Sequence, residues 1–232
     1  MIWVAEIGSA HKGSKAQAFE MIRQAKKAGA TIAKFQLGWT PEIEQKWGNS
    51  PMPRRPDRKG VSVRYIDDWA EDLAKWCKDL EIEFMASIWS MEALETARSV
   101  NMKRYKIAHQ MRDFELIEEM MKDGKQVFIS GYEHEPETYR VGLTKIWCTK
   151  DYPSYDPDYA CDRDGYNSYF GYSSHAHGYA DALLAVAHHA GYVEKHVTLN
   201  KADTRLRDNA FALNFDEFAE MVSIGNEMAR LR

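Results

Sequence analysis

Apolar residues in this chain gather in short runs that alternate with stretches of helical spacing. Ile2-Trp3-Val4-Ala5-Glu6-Ile7-Gly8 has the apolar character of a strand, and Ser14 stands where a helix N-cap belongs, before a stretch that ends near Ala28-Gly29. A second strand over 31–37 is followed, after a long irregular stretch, by a helix over 64–80. The same beat predicts strands over 84–89, 104–108, 126–131, 144–149, 169–175 and 192–199, with helices over 91–100, 113–122, 179–190 and 216–231. Eight strands alternating with helices in 232 residues point to one α/β domain over 1–232, a (β/α)8 TIM barrel, because an open doubly wound sheet of this length carries fewer strands. The segments 135–140 and 155–166 carry Pro, Gly and Asp in place of an apolar stripe, so the helices after strands five and six are expected to be irregular or shortened. The stretch 39–62, with Pro51-Met52-Pro53-Arg54-Arg55-Pro56, is expected to form a lid over the barrel mouth.

Side chains alternate across a strand, so polar residues that share parity with apolar ones converge inside a barrel. Glu6 shares parity with Ile2 and Val4, and Lys34 with Ile32 and Gln36, while Ala33, Phe35 and Leu37 face helices. Lys106, Ser130, Ser173 with His175, and Glu194 with His196 follow the same logic, and strand six adds Cys148 and Lys150. Burying so many ionisable groups is costly unless they pair or bind something, which favours a polar site at the C-terminal mouth. His175 and His196 end consecutive strands; either they share a divalent metal, or each hydrogen-bonds within the barrel. Lys34 and Lys106 either bind phosphate and carboxylate or pair with Glu6 and Glu194. His11 follows the first strand, where it either contacts substrate or is solvated; His188 and His189 lie on a helix behind the barrel, outside the site.

Composition narrows this little. Thirty-one Lys and Arg against 35 Asp and Glu give a formal net charge of −4, which argues against nucleic acid or anionic membranes as partners. No apolar run approaches a membrane span, and the start lacks a basic leader with an apolar stretch, so a cytoplasmic setting is expected. Cys77, Cys148 and Cys161 form no CxxC pair and are expected to be reduced. Trp39, Trp47 and Trp69 are expected to stabilise a loop.

The ordered motifs resemble the sialic acid synthase (N-acetylneuraminate synthase) family along nearly the full chain. They are Ala5-Glu6-Ile7-Gly8-Ser9 with His11 and Gly13, Ala33-Lys34-Phe35-Gln36, Tyr105-Lys106-Ile107, Ile129-Ser130-Gly131, and Cys148-Thr149 with Tyr152-Pro153. Gly171-Tyr172-Ser173-Ser174-His175, Val193-Glu194-Lys195-His196-Val197-Thr198-Leu199 and Asp208 complete the set. The resemblance implies that His175 and His196 hold Mn2+ or Mg2+, and that Lys34, Lys106, Ser130, Ser173 and Lys150 cradle phosphoenolpyruvate. It also implies that Glu6 and Asp208, with Lys34 and Lys106, serve the chemistry. In such a mechanism the methylene carbon of phosphoenolpyruvate attacks the aldehyde of a sugar, water adds to the resulting cationic carbon, and phosphate departs to leave a 3-deoxy-2-keto acid.

Several positions depart from the family's pattern. A small-Ser-Gly-Glu stretch is here Ala108-His109-Gln110-Met111, an Asn becomes Lys150, and the Asp before the first metal histidine becomes Ser174. Ser-Thr-Pro-Phe reads Ala86-Ser87-Ile88-Trp89, which is expected to bring an indole near the mouth and favour a smaller or differently shaped acceptor. The family's C-terminal antifreeze-like domain has no counterpart up to Arg232, so acceptor binding is expected to use local groups, with Arg54, Arg55, Arg58 and Lys59 as one candidate and a solvated basic loop as the alternative. Any homo-oligomer would form without exchange of that domain. Two other readings stay open: an aldolase using Lys106 as Schiff-base nucleophile, and a non-catalytic ligand-binding barrel.

Overall fold

A computed structural model describes residues 1–40, 43, 66–109, 111–131, 142–148, 153–154, 169–203 and 206–231. Eight parallel strands close on themselves in sequence order: β1 (Ile2–Glu6), β2 (Ile32–Leu37), β3 (Glu83–Ile88), β4 (Arg104–Ile107), β5 (Gln126–Gly131), β6 (Leu143–Cys148), β7 (Gly171–Ser174) and β8 (Tyr192–His196). Register runs Glu6 beside Lys34 on one side and beside His196 on the other, which seals β1 to β2 and β8. The described helices are α1 (Lys15–Lys27), α2 (Ile66–Asp79), α3 (Met91–Ser99), α4 (Phe114–Lys122), α5 (Ala180–Ala187) and α6 (Phe215–Arg230). The expected barrel is therefore present, while the segments after strands five and six, nearly all of the expected lid, Trp47, Cys161 and the Arg54 to Lys59 cluster lie outside the described residues.

Local chemistry sets the helix starts. The side chains of Ser14, Ser90, Asp113 and Asn214 each accept a backbone N–H in the first turn, and Asn214 with Glu217 closes a reciprocal capping box. Each cap is worth about 1 kcal/mol. The strands end earlier than the apolar runs suggest. Gly8, at φ 50, turns the chain after β1, and His175 and Val197 lie one residue past their ladders.

The strand faces separate as parity demands. Trp3, Ala5, Ile7, Ala33, Phe35, Leu37, Ala86, Ile88, Tyr105, Ile107, Val127, Ile129 and Val193 join the helices in one outer apolar cluster. Val4, Ile32, Met85, Phe128, Ile146 and Tyr192 form a separate cluster inside, a floor for the barrel. Cys77 and Cys148 are buried, and neither is in a disulfide among the described residues. No described helix is long and apolar enough to cross a membrane.

Gly171 permits the tight approach of β7 to β8: a Cβ there would sit 2.4 Å from the Tyr192 carbonyl oxygen and 2.5 Å from its Cβ. Gly171→Ala must therefore push the strands apart. The expected loss is roughly 1–3 kcal/mol in chemical denaturation, and an unchanged midpoint would contradict this packing.

Candidate active site

Above the apolar floor, the same inward parity carries polar side chains. Lys34 of β2 stands between two carboxylates, with Nζ 2.6 Å from Glu6 Oε2 of β1 and 3.3 Å from Glu194 Oε1 of β8. Gln36 donates to Glu6 Oε1 at 3.2 Å, Ser173 donates to Glu194 Oε1 at 3.1 Å, and the Tyr192 hydroxyl donates to Glu194 Oε2. On β4, Lys106 donates to Ser130 Oγ of β5 and to its neighbour's carbonyl, Ile107 O, at 3.2 Å. Glu6, Lys34, Lys106, Ser130, Ser173 and Glu194 are all buried. Lys34 thus takes the paired arrangement, whereas Lys106 rests on a hydroxyl and a carbonyl. Lys150 lies outside the described residues.

Lys34 is shared by two buried carboxylates, and their protonation equilibria diverge. Burial, with Glu194 nearby, pushes the Glu6 carboxyl up to about 7 despite Lys34. Burial also opposes ionisation of Glu194, but the Lys34 and Lys106 charges and the Tyr192 hydroxyl outweigh it and hold that carboxyl down to about 2. Lys34, though desolvated, is kept above the usual lysine range by Glu194 and Glu6. Burial moves Lys106 the other way, below that range. Burial thus favours the protonated form of Glu6, whereas its neighbours favour the carboxylate of Glu194.

At the rim, the His175 and His196 rings lie 5.7 Å apart between centroids, and Phe211 packs edge-on against both. Burial holds His175 well below the usual imidazole range and His196 down to about 4, so both are neutral. Asp208, on the 3-10 turn Arg207–Ala210, brings Oδ2 within 3.7 Å of His196 Nδ1. Cys148 Sγ lies 3.5 Å from His175 Nδ1, with its thiol pushed up to about 12 by burial. Among the described residues, no group of three or more His, Cys, Asp or Glu gathers as a metal cage. Two neutral imidazoles with a carboxylate behind one of them nonetheless suit a divalent ion that keeps positions for water and substrate.

Two side chains behave differently from expectation. His11 neither meets the interior nor is solvated: it is fully buried against Phe35 and Trp69 on the outer side of the barrel, where its Nδ1 accepts from Gly13 N–H at 3.1 Å. Burial there pushes it down to about 4. Trp89 packs at 4.3 Å against Trp39 within the outer apolar cluster, so its indole fills the shell between strands and helices. Tyr192 and Phe211, absent from the sequence candidates, touch the site directly. Tyr192 was open to discovery by parity, two residues before Glu194, but nothing local marks Phe211.

The sequence matches the NeuB family over residues 21–231. The chain belongs to the NeuB family. Among its relatives, the mouse N-acetylneuraminate-9-phosphate synthase is 30% identical, the alignment covering 94% of this chain and 67% of that protein. The pseudaminic acid synthase of Campylobacter jejuni is 27% identical, over 94% of this chain and 71% of its own length. The crystal structure of the sialic acid synthetase of Leptospira borgpetersenii, in complex with citrate, superposes with a TM-score of 0.82 at 21% identity, covering 99% of this chain and 84% of that one. This last likeness supports the (β/α)8 barrel fold of the chain.

The raised Glu6 carboxyl yields a signed expectation for the NeuB barrel. A folded-state value above the unfolded one stabilises fully below about 4.5, and that contribution is lost as pH rises through about 7. Relative to Glu6→Gln, the unaltered protein should lose on the order of 3 kcal/mol between those pH values. Denaturation curves that stay parallel across the window would contradict the assignment.

Proposed function

We propose that this protein is a phosphoenolpyruvate-dependent synthase that joins phosphoenolpyruvate to an aldose or related aldehyde, forming a sialic-acid-like 3-deoxy-2-keto acid and releasing phosphate. The observation that carries the reading is the pair of buried lysines, Lys34 and Lys106, on one interior face with Ser130, Ser173 and two neutral histidines. Family membership and relatives named as sialic and pseudaminic acid synthases support the same reaction class.

In this reading Lys106, Lys34, Ser130 and Ser173 bind the phosphate and carboxylate of phosphoenolpyruvate, joined by Lys150. Cations and hydroxyls in a dry site bind such anions far more strongly than in water. Entry of the anion redistributes the charge shared by Lys34, and Glu6 holds or releases the compensating proton at its carboxylate oxygen. His175 and His196 hold Mn2+ or Mg2+, and Asp208 orients His196 through Nδ1. When bound, that ion supplies Lewis-acid polarisation of the acceptor carbonyl. Phe211, packed on both imidazoles, excludes water from one side of them.

The test is incubation with Mn2+, phosphoenolpyruvate and a panel of aldoses, following phosphate and new keto acid. Acceptor-dependent release of both is expected, and Lys106→Ala should lower kcat/KM for phosphoenolpyruvate at least about 100-fold. Release of neither with any acceptor, together with no phosphoenolpyruvate binding, would sink the proposal. The lowered Lys106 ammonium also suits a Schiff-base aldolase. Borohydride reduction in the presence of carbonyl substrates discriminates: the synthase leaves Lys106 unmodified, whereas covalent trapping there favours the aldolase.

A further inference from the structure

The outward faces of β7 and β8 carry a second buried polar group. Lys195 lies between the inward-facing Glu194 and His196, so its side chain emerges on the helix side, fully buried. Its Nζ donates to Ser174 Oγ at 2.8 Å and to the carbonyl oxygen of Ala176. The Ser174 hydroxyl donates in turn to Asp181 Oδ2, which also accepts from the Tyr172 hydroxyl at 2.9 Å. Asp181 sits in the first turn of α5, where the helix dipole favours a carboxylate. Ser174 therefore relays between a buried ammonium and a buried carboxylate, accepting from one and donating to the other. Either charge left without such a partner in this interior is costly.

The location of this network gives it a role. The β7–β8 ladder ends at the Ser174 and Lys195 pair, and His175 is the next residue beyond it. Lys195 Nζ grips both residues that flank His175, namely Ser174 by its side chain and Ala176 by its backbone, and Lys195 itself precedes His196 in the chain. The His175 carbonyl accepts from Ser154 N–H at 3.0 Å. The backbone around His175 is thus fixed after the sheet has stopped holding it.

We propose that Lys195, Ser174 and Asp181 form a positioning clamp that sets the backbone of His175 against that of His196 and so preorganises the two imidazoles for a divalent cation. The clamp touches no substrate. It rests on the reading of His175 and His196 as metal ligands, and it gives Ser174 a definite task.

The test titrates Mn2+ alone into the full chain and follows the free ion by electron paramagnetic resonance. Ser174→Ala and Lys195→Met are each expected to weaken Mn2+ binding by about tenfold or more, the usual effect of losing an orienting partner. Tyr172→Phe removes a hydrogen bond from the same Asp181 without touching either residue that flanks His175. It should lower the melting temperature while leaving Mn2+ affinity within about twofold of the unaltered protein, on the same reasoning. The clamp is overturned if Ser174→Ala or Lys195→Met binds Mn2+ like the unaltered protein, or if Tyr172→Phe weakens binding as much as they do. A different pattern marks failure of the metal reading itself: no Mn2+ binding by the unaltered protein, or binding undiminished in His175→Ala and His196→Ala, and the clamp then falls with it.

Discussion

Everything in the barrel interior is arranged around one shared cation. Lys34 lies within 2.6 Å of Glu6 and 3.3 Å of Glu194, so a single ammonium ties together β2, β1 and β8, the strands at which the barrel closes. Such a group is no inexpensive source of stability, because taking three charges out of water costs several kcal/mol per ion before their attraction offsets it. Its value lies in the imbalance. The Glu194 partners, Tyr192, Ser173 and the more distant Lys106, favour its carboxylate form, whereas burial favours the protonated form of Glu6.

The layers above and below give that imbalance consequences. The floor of Val4, Ile32, Met85, Phe128, Ile146 and Tyr192 keeps water out from beneath, so charges in the polar layer interact strongly. Lys106 leans on Ser130 and on the Ile107 carbonyl, and among the described residues it has no carboxylate partner in an ion pair, which suits it to an incoming anion. The rim histidines, held neutral by burial, face the same interior, where in the proposed reading they hold the metal ion while the lysines take the anion. Outside the wall, the Lys195 network secures the strand ends from which those histidines project.

Much of this was legible in the sequence because a strand's period of two is a strong constraint. Parity alone sorted Glu6, Lys34, Lys106, Ser130, Ser173, Glu194 and the two histidines inward, and Ala33, Phe35 and Leu37 outward; these last three join the outer apolar cluster, while the polar side chains meet one another across the strands. What parity cannot reach is a side chain beyond the ladder. His11 follows the turn at Gly8, and a loop histidine looks solvated until Phe35 and Trp69, distant in sequence, enclose it. Trp89 follows the end of β3, and its indole is drawn to Trp39. Phe211 reaches the histidines from a 3-10 turn with no periodic signature. Whether Lys34 would be paired was also undecidable from sequence, since pairing depends on which levels of adjacent strands come into register.

If this polar layer binds phosphoenolpyruvate as proposed, the carbon-oxygen bond to phosphate is the one that breaks during condensation. The most direct measurement uses phosphoenolpyruvate labelled with 18O at the bridging oxygen, an accepted aldose, and 31P nuclear magnetic resonance of the phosphate released. The account requires the label to appear in the phosphate, and only when the acceptor is present. Unlabelled phosphate, or release indifferent to the acceptor, would contradict it.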